Sequence, residues 1–251
     1  MLQTVNHRRA DKESVSDELK KKSAELNQFI YKASHDIRGP LASIIGLSNV
    51  ALSDIHHPEA QVFFNMIADC AQRLDKTLQE LLQLSAIGQG DINVEKFDVR
   101  IFFEKTLGSL DPMLSFNGVK VTTHIEDVND FISDQRLLGL IVHHLVDNAI
   151  KFRNCNAPVS YLHLTVRKRV NGIVMEFADN GIGVPMLLQE RVFEMFFRGT
   201  EHSAGQGLGL YVVDKLVKKL GGTINLFSKE KEGSRFEVFI PGISIHYYKH
   251  I

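Results

Sequence analysis

The first 90 residues carry long helical patterns of apolar positions. Between Val15 and Ala33 the apolar residues alternate by four and three positions, with Lys22 in one step, which is typical of a coiled-coil seam entering a helix. The pattern continues past Gly39-Pro40, where we expect a bend. A second helix is predicted from Phe63 to Leu84, after a turn at Asp54–Pro58. Two such helices alone bury too little apolar surface, so we expect this hairpin to dimerise into a four-helix bundle.

After Gly90 the pattern changes to short strand-like runs that are interspersed with helical ones. Strands are predicted at Phe97–Val99, Val119–His124, Tyr161–Val166, Ile173–Ala178, Thr223–Phe227 and Arg235–Ile240. Helices are predicted at Ile101–Leu110, Asp134–Phe152 and Gly207–Leu220. This order favours an α/β sandwich with a mixed sheet under three helices. The predicted fold class is α+β, with a linker helix at 1–25, the hairpin at 26–90 and the sandwich at 91–251.

Composition and charge exclude several classes of partner. The 251 residues include 29 Lys and Arg against 30 Asp and Glu, so nothing in the net charge suggests nucleic acid or an anionic membrane. No apolar run approaches the roughly 18 residues of a membrane span, and no signal peptide is visible. We expect a cytoplasmic chain without membrane contact of its own, either complete or the cytoplasmic part of a longer sensor. Cys70 and Cys155 match no metal-binding spacing and are expected to be reduced.

A histidine next to a carboxylate, His35-Asp36, lies in the first helical pattern. A neutral imidazole nitrogen is a nucleophile at neutral pH, and a carboxylate can accept its proton. Adjacent helical residues do not face each other, so Asp36 would have to reach back. A solvated surface pair is the commoner explanation of such a dipeptide by itself.

Three further motifs indicate a phosphate-bearing ligand. His144, Asn148 and Lys151 fall on one face of a predicted helix, where an amide oxygen suits Mg²⁺ and an ammonium suits phosphate; an ordinary amphipathic helix explains the segment equally well. Asp179-Asn180-Gly181-Ile182-Gly183 follows a strand, and its carboxylate can accept an exocyclic amine, although a type II turn or a metal loop has the same pattern. Gly205-Gln206-Gly207-Leu208-Gly209 opens a helix, where free N–H groups favour phosphate. The aromatic run Phe193–Phe197 is interpreted mainly as core packing.

Taken in this order, and with Gly233-Ser234 following, the motifs closely resemble those of the bacterial two-component sensor histidine kinases, over about residues 26–241. The resemblance implies a dimeric phospho-acceptor hairpin and an ATP-binding domain of the histidine kinase and clamp ATPase type. His35 then corresponds to the phosphorylated histidine, which attacks ATP through Nε2, with Asp36 as general base and Arg38 as a partner in the same motif. The implied recipient of the phosphoryl group is an aspartate in a response-regulator receiver domain.

The resemblance also assigns the nucleotide site. It implies that Asn148 binds Mg²⁺, that Lys151 contacts phosphate and that Phe152 lies over the adenine. Asp179 corresponds to the residue that reads adenine, with Gly181 and Gly183 shaping its pocket. The remaining ATP-binding positions are Arg198, near the γ-phosphate, and Gly205, Gly207, Leu208 and Gly209, around the phosphates.

Three departures from the family pattern stand out, and one is Gly39, four residues after His35, where relatives often carry threonine or asparagine. His144 occupies a position that is usually asparagine, which makes it a possible metal ligand, and the lid segment Gly199–Gln206 is short. A mismatch-repair-type clamp ATPase shares this pocket but uses a glutamate before the asparagine to activate water, and here that position holds His144. A degenerate kinase that acts as a dimeric scaffold is the other alternative, and labelled ATP would distinguish it.

Overall fold

The structure, a computed structural model, describes residues 32–34, 36–53, 57–89, 91–199 and 206–242. The chain divides into two compact units, Met1–Gly90 and Asp91–Ile251. Most of the predicted coiled-coil seam lies outside the described residues, as do His35 and Gly205. Within the described part, no helix is long and apolar enough to cross a membrane, and both cysteines are free and exposed.

The first unit is a helical hairpin. Helix α1 covers 36–53, continuing through Pro40, and helix α2 covers Pro58–Gln89. The two helices pack through Leu41, Ala71 and Leu78, with Ile45 at the margin. Beside this contact, the Arg38 guanidinium lies 3.7 Å from the Asp75 carboxylate. The helical apolar period in the sequence thus produces a narrow internal seam between the helices.

Much of the apolar surface of the hairpin is not covered by this seam. Leu47 is 70% exposed and Phe63 is 65% exposed. The other large exposed apolar side chains of the hairpin are Ile37, Ile44, Val50, Val62, Met66, Ile67 and Leu74. An exposed apolar surface of this extent is typical of an interaction face.

The second unit mixes strands and helices. Its strands are β1 Glu95–Phe97, β2 Val119–Ile125, β3 Phe131–Ser133, β4 Ser160–Arg169, β5 Gly172–Asp179, β6 Thr223–Lys229 and β7 Gly233–Pro241. Its helices are α3 Val99–Phe116, α4 Gln135–Lys151 and α5 Gly209–Lys219, and a short 3₁₀ turn covers Met186–Leu188. The five-stranded sheet has the order β2-β4-β5-β7-β6, and β1 and β3 form a separate two-stranded ribbon. Strands β2 and β4 are parallel, and the other neighbours are antiparallel, so the predicted mixed sheet is confirmed.

Two predicted boundaries were wrong near the start of this unit. The first strand is Glu95–Phe97 and not Phe97–Val99, because Asp98 caps α3 by accepting a hydrogen bond from the Ile101 amide at 2.9 Å. Strand β3 was missed because three residues are too few to show a period. Helix α3 also extends beyond Leu110, past Pro112, and ends at Phe116; Gly118, two residues later, has a φ of 67°.

The core lies between one face of the sheet and the helices. Alternate residues of β4, β5 and β7 are buried, as a period of two requires: Leu162, Leu164, Val166, Ile173, Met175, Phe177, Phe236, Val238 and Ile240. The helices supply residues at helical spacing: Leu137, Leu138, Ile141, Val142 and Leu145 from α4, and Val212, Val213, Leu216 and Val217 from α5. This packing fixes α4 and the end of β5 relative to each other.

The core position of Phe177 gives a stability prediction. Phe177 is 1% exposed, whereas Phe116 is 90% exposed. We expect Phe177→Ala to lower the free energy of unfolding of this unit by about 3–5 kcal/mol, through lost burial and a cavity. Phe116→Ala is the matched control and should change it by less than about 0.5 kcal/mol. Urea denaturation measures both values, and equal effects would contradict the packing described.

Candidate functional site

A cavity of about 540 Å³ opens in the second unit, between α4, the loop after β5 and the β6–β7 turn. This volume is in the range of small-molecule sites, about 300–1,000 Å³. The cavity is lined by six of the residues that the sequence indicated: Asn148, Phe152, Asp179, Gly183, Arg198 and Gly207. Its apolar lining includes Ile182, Val184, Leu188, Val192, Phe197, Leu210 and Phe236. The site is therefore an apolar slot with a few polar groups.

Asp179, at the end of β5, is the carboxylate of this cavity. Its Oδ1 accepts hydrogen bonds from the Gly181 amide at 2.7 Å and the Ser234 amide at 3.3 Å. Burial raises the pKa of the Asp179 carboxyl, and these two hydrogen bonds oppose that rise. Both bonds fall on Oδ1, so Oδ2 can accept from a ligand donor such as an amine.

Gly181 and Gly183 allow the loop after β5 to pack closely against other backbone. A Cβ at Gly181 would collide with the Phe152 carbonyl oxygen, and one at Gly183 with the Lys229 carbonyl oxygen. Gly183 also has a φ of 68°. The Ile182 amide donates to the Phe152 carbonyl at 2.9 Å, and the Ile182 carbonyl accepts from the Lys231 amide at 2.7 Å. These glycines shape the cavity through contacts within the protein.

Gly207 fixes the entry to α5 in a similar way. Its φ is 72°, and a Cβ there would meet the backbone of Phe196 and Phe197. The Phe196 amide donates to the Gly207 carbonyl at 2.9 Å. Phe197 lines the cavity. The prediction that Phe196 packs in the core is wrong, because Phe196 is 52% exposed. The sequence could not show this, because Phe196 has a positive φ of 62° that turns its side chain outward.

Asn148 and His144 lie one turn apart on α4, close to the start of α5. A Cβ at Gly209 would be 3.7 Å from His144 Nδ1 and 3.8 Å from Asn148 Oδ1, so both side chains border the same small space. The buried Nδ2 of Asn148 has no hydrogen-bond partner among the described residues. Asn148 lines the cavity, and an amide oxygen is a suitable ligand for a hard divalent cation. The residues present therefore fit Mg²⁺.

The other residues indicated by the sequence lie outside this cavity lining. The ammonium of Lys151 forms an ion pair with the Asp147 carboxylate, one turn earlier on α4. Leu208 is fully buried and anchors the segment before α5. Asp36 is exposed on α1, and Arg38 pairs with Asp75, both within the first unit.

Sequence reasoning missed the contribution of the β6–β7 turn. Glu230 and Lys231 line the cavity, together with Asn154 and Asn156 from the segment after α4. The turn is held by Ser228, whose hydroxyl donates to the Gly233 carbonyl at 2.8 Å. No local motif marks these residues, because they reach the cavity only through pairing of distant strands.

Two family models match this chain. The model of the His Kinase A (phospho-acceptor) domain matches residues 25–90. The model of the histidine kinase-, DNA gyrase B- and HSP90-like ATPases matches residues 133–243. A phospho-acceptor domain followed by this ATPase domain is the transmitter core of a protein-histidine kinase. The chain belongs to the sensor histidine kinases of two-component signal transduction.

Named relatives agree with this assignment. Over 225 residues the chain is 31% identical to the autoinducer 2 sensor kinase/phosphatase LuxQ of Vibrio vulnificus strain YJ016, covering 85% of this chain and 26% of LuxQ. It is 29% identical over 238 residues to the signal transduction histidine-protein kinase BarA of Escherichia coli K12, covering 89% of this chain and 26% of BarA. The chain thus spans about a quarter of the length of these curated relatives.

Solved structures show the same fold. Full-length ShkA in complex with AMPPNP superposes with a TM-score of 0.70 at 19% identity, covering 86% of this chain and 46% of that one. The Acinetobacter baumannii histidine kinase AdeS gives a TM-score of 0.62 at 22% identity, covering 84% and 98% of the two chains. At these identities the likeness is one of fold.

The packing of the loop after β5 predicts that alanine has opposite effects on stability at two glycines. Gly183→Ala should lower the free energy of unfolding by more than about 1 kcal/mol, because the positive φ and the Lys229 carbonyl both oppose a Cβ. Gly108 lies exposed within α3 with no atom within 4 Å of a Cβ, so Gly108→Ala should stabilise by up to about 1 kcal/mol. Thermal denaturation compares the two variants. A neutral Gly183→Ala would show that the loop does not pack as described.

Proposed function

We propose that this chain transfers the γ-phosphoryl group of ATP to His35 and then to an aspartate in a response-regulator receiver domain. The observation that carries the proposal is the cavity around Asp179, where a fixed carboxylate lies at the end of an apolar slot. That arrangement suits a flat, amine-bearing base such as adenine. The phospho-acceptor domain in the same chain supplies the recipient histidine.

The nucleotide lies with its base against Phe152 and the apolar lining, and with its amine toward Asp179 Oδ2. Its phosphates extend toward Arg198 and Gly207, which line the same cavity. The N-terminus of α5, at Gly209, adds free N–H groups that favour phosphate. Gly205 belongs to the same glycine-rich segment, outside the described residues.

Mg²⁺ is the cofactor that this site holds together with the nucleotide. Asn148 provides an amide oxygen, and His144 borders the same space. When bound, Mg²⁺ neutralises part of the negative charge on the phosphates. The protein contributes by holding the negatively charged phosphates next to α5.

In the chemical step, a bond forms between His35 Nε2 and the γ-phosphorus while the bond to the bridging oxygen of ADP breaks. The proton of the imidazole passes to Asp36, an exposed carboxylate next to it in sequence. Arg38 follows His35 by three residues in the sequence, and the Asp75 carboxylate of α2 lies 3.7 Å from its guanidinium. The chain between the two units, after α2 ends at Gln89, is the proposed hinge that brings the nucleotide to the histidine.

We also propose the domain boundaries 1–25 for a coiled-coil linker helix, 26–90 for dimerisation and phosphotransfer, and 91–251 for the catalytic domain. The division of the chain after Gly90 supports the second boundary. The phospho-acceptor match at residues 25–90 supports both boundaries. This transmitter core would act in the cytoplasm, where ATP and receiver domains are found.

The hairpin is proposed to form a homodimer. Nine large apolar side chains of its described part are exposed, and these include Leu47, Phe63 and Leu74. Pairing two hairpins into a four-helix bundle buries these side chains. The phospho-acceptor family to which the hairpin belongs supports this arrangement.

Radiolabelled ATP tests the phosphorylation site. Incubation of the wild type with γ-labelled ATP and Mg²⁺ should label the protein with an acid-labile, alkali-stable bond, as a phosphoramidate requires. His35→Gln should abolish the label, whereas His57→Gln, at an exposed histidine of the same unit, should retain it. Undiminished labelling of His35→Gln would refute the assignment.

Light scattering tests the dimer. The wild type at micromolar concentration should have twice the mass of one chain, and Leu74→Asp should halve it because a carboxylate enters an apolar interface. Val170→Asp, at a residue 87% exposed in the second unit, is the control and should remain dimeric. A monomeric wild type would contradict the proposal.

A further inference from the structure

We propose that Lys231 is a specificity residue of the nucleotide site, and that its ammonium donates a hydrogen bond to a ring nitrogen beside the amine of the adenine. The inference rests on the proposed nucleotide binding. It places a donor next to the acceptor that Asp179 provides. The side chain belongs to the β6–β7 turn, far from Asp179 in the sequence.

The backbone conformation of Lys231 is unfavourable for a lysine. Its φ is 67°, in the left-handed region where a Cβ destabilises the chain and glycine does not. Among the described residues, the other non-glycine positions with a positive φ are Asp130, Asn171 and Phe196. Aspartate and asparagine tolerate this region better than other residue types do. Lys231 and Phe196 are therefore the two unfavourable cases in the described part of the chain.

Both unfavourable conformations lie at the nucleotide cavity. Lys231 lines the cavity directly. The Phe196 amide donates to the carbonyl of Gly207 at 2.9 Å, and Gly207 lines the cavity. Asp130 and Asn171 do not line it. Backbone strain that is concentrated at one site points to a function at that site.

The backbone contact made at position 231 does not require a lysine. The Lys231 amide donates to the Ile182 carbonyl at 2.7 Å, and a glycine would supply the same donor. The ammonium of Lys229, in the same turn, pairs with the Glu232 carboxylate, whereas that of Lys231 forms no ion pair within the described ranges. The exposed side chain of Lys231 is therefore the part of the residue that a ligand in the cavity would use.

The contacts of the turn place Lys231 at the base end of the cavity. Its amide binds the loop that begins at Asp179, and the Ser234 amide, three residues later, donates to Asp179 Oδ1 at 3.3 Å. An adenine whose amine meets Asp179 has the acceptors N1 and N7 on either side of that amine. A lysine ammonium offers only donors. Asp179 and Lys231 would then recognise neighbouring groups on the same edge of the base.

Calorimetry with ADP and two analogues in the presence of Mg²⁺ tests this contact. In 1-deaza-ADP and 7-deaza-ADP, a C–H group that accepts no hydrogen bond replaces one of the two ring nitrogens. The wild type should bind one analogue about fivefold or more weakly than ADP. Lys231→Met should lose that difference, because its affinity for ADP falls to about the level of the analogue.

Two further variants separate the hydrogen bond from the charge. Lys231→Arg keeps a donor and should retain most of the difference between ADP and the analogue. Lys105→Met removes the same charge at an exposed lysine of α3 that does not line the cavity. It should bind all three nucleotides as the wild type does.

Glycine at position 231 tests the argument from strain. Lys231→Gly should raise the midpoint of thermal unfolding by about 2–4 °C, because it relieves the left-handed backbone, and should weaken ADP binding as much as Lys231→Met does. Asn171→Gly, at a φ of 62° outside the cavity, should give a smaller shift and leave ADP binding unchanged. A midpoint that does not rise in Lys231→Gly would overturn the argument.

The outcomes separate this inference from the proposed function. If the wild type binds ADP and Lys231→Met binds it equally tightly, Lys231 makes no contact with the base. If Lys231→Met weakens ADP and both analogues by the same factor, the contact with a ring nitrogen is wrong. Either result leaves the nucleotide site intact. Failure of the wild type to bind ADP would overturn the nucleotide site and this inference together.

Discussion

Burial of the Asp179 carboxylate is the constraint on which the rest of the site depends. A charge removed from water is costly unless hydrogen bonds replace its solvation, and here the Gly181 and Ser234 amides supply them. To donate, both amides must approach a single oxygen, so the loop after β5 and the start of β7 have little freedom. The same constraint requires a glycine at position 233, since a Cβ there would collide with the Asp179 carbonyl oxygen.

This constraint fixes the shape of the end of the cavity at which we propose that the base binds. The loop is held on one side by the Phe152 carbonyl, at the end of α4, and on the other by the Lys231 amide. The end at which we propose that the phosphates bind is built differently, from Arg198, Gly207 and the start of α5. Under this proposal, recognition of the base depends on rigid backbone contacts, whereas phosphate binding depends on exposed charge and a helix terminus.

The sequence could predict those features whose cause is local. The period of two in β4 and β5, the helical period of α4 and the motifs around Asn148 and around Asp179 each arise within a short segment, and the α+β arrangement was confirmed. Strand β3 and the capping of α3 by Asp98 depend on individual contacts, which the hydrophobic periodicity of the sequence does not indicate. The ion pair of Lys151 with Asp147 has the i,i+4 spacing that a helix brings together. The approach of Lys231 to the cavity could not be predicted, because Lys231 reaches the cavity through tertiary packing.

The central claim is that Asp179 selects adenine through its amine, and comparison of ADP with inosine diphosphate tests it most directly. The two bases differ at position 6, which the proposal places opposite Asp179 and where an amine donor is replaced by a carbonyl acceptor, and at N1, which becomes an N–H. Calorimetry should show that the wild type binds ADP more tightly by about 1–3 kcal/mol, the cost of an unmatched buried polar group, and that Asp179→Asn loses most of this difference. Equal affinity of the wild type for the two nucleotides would contradict the account.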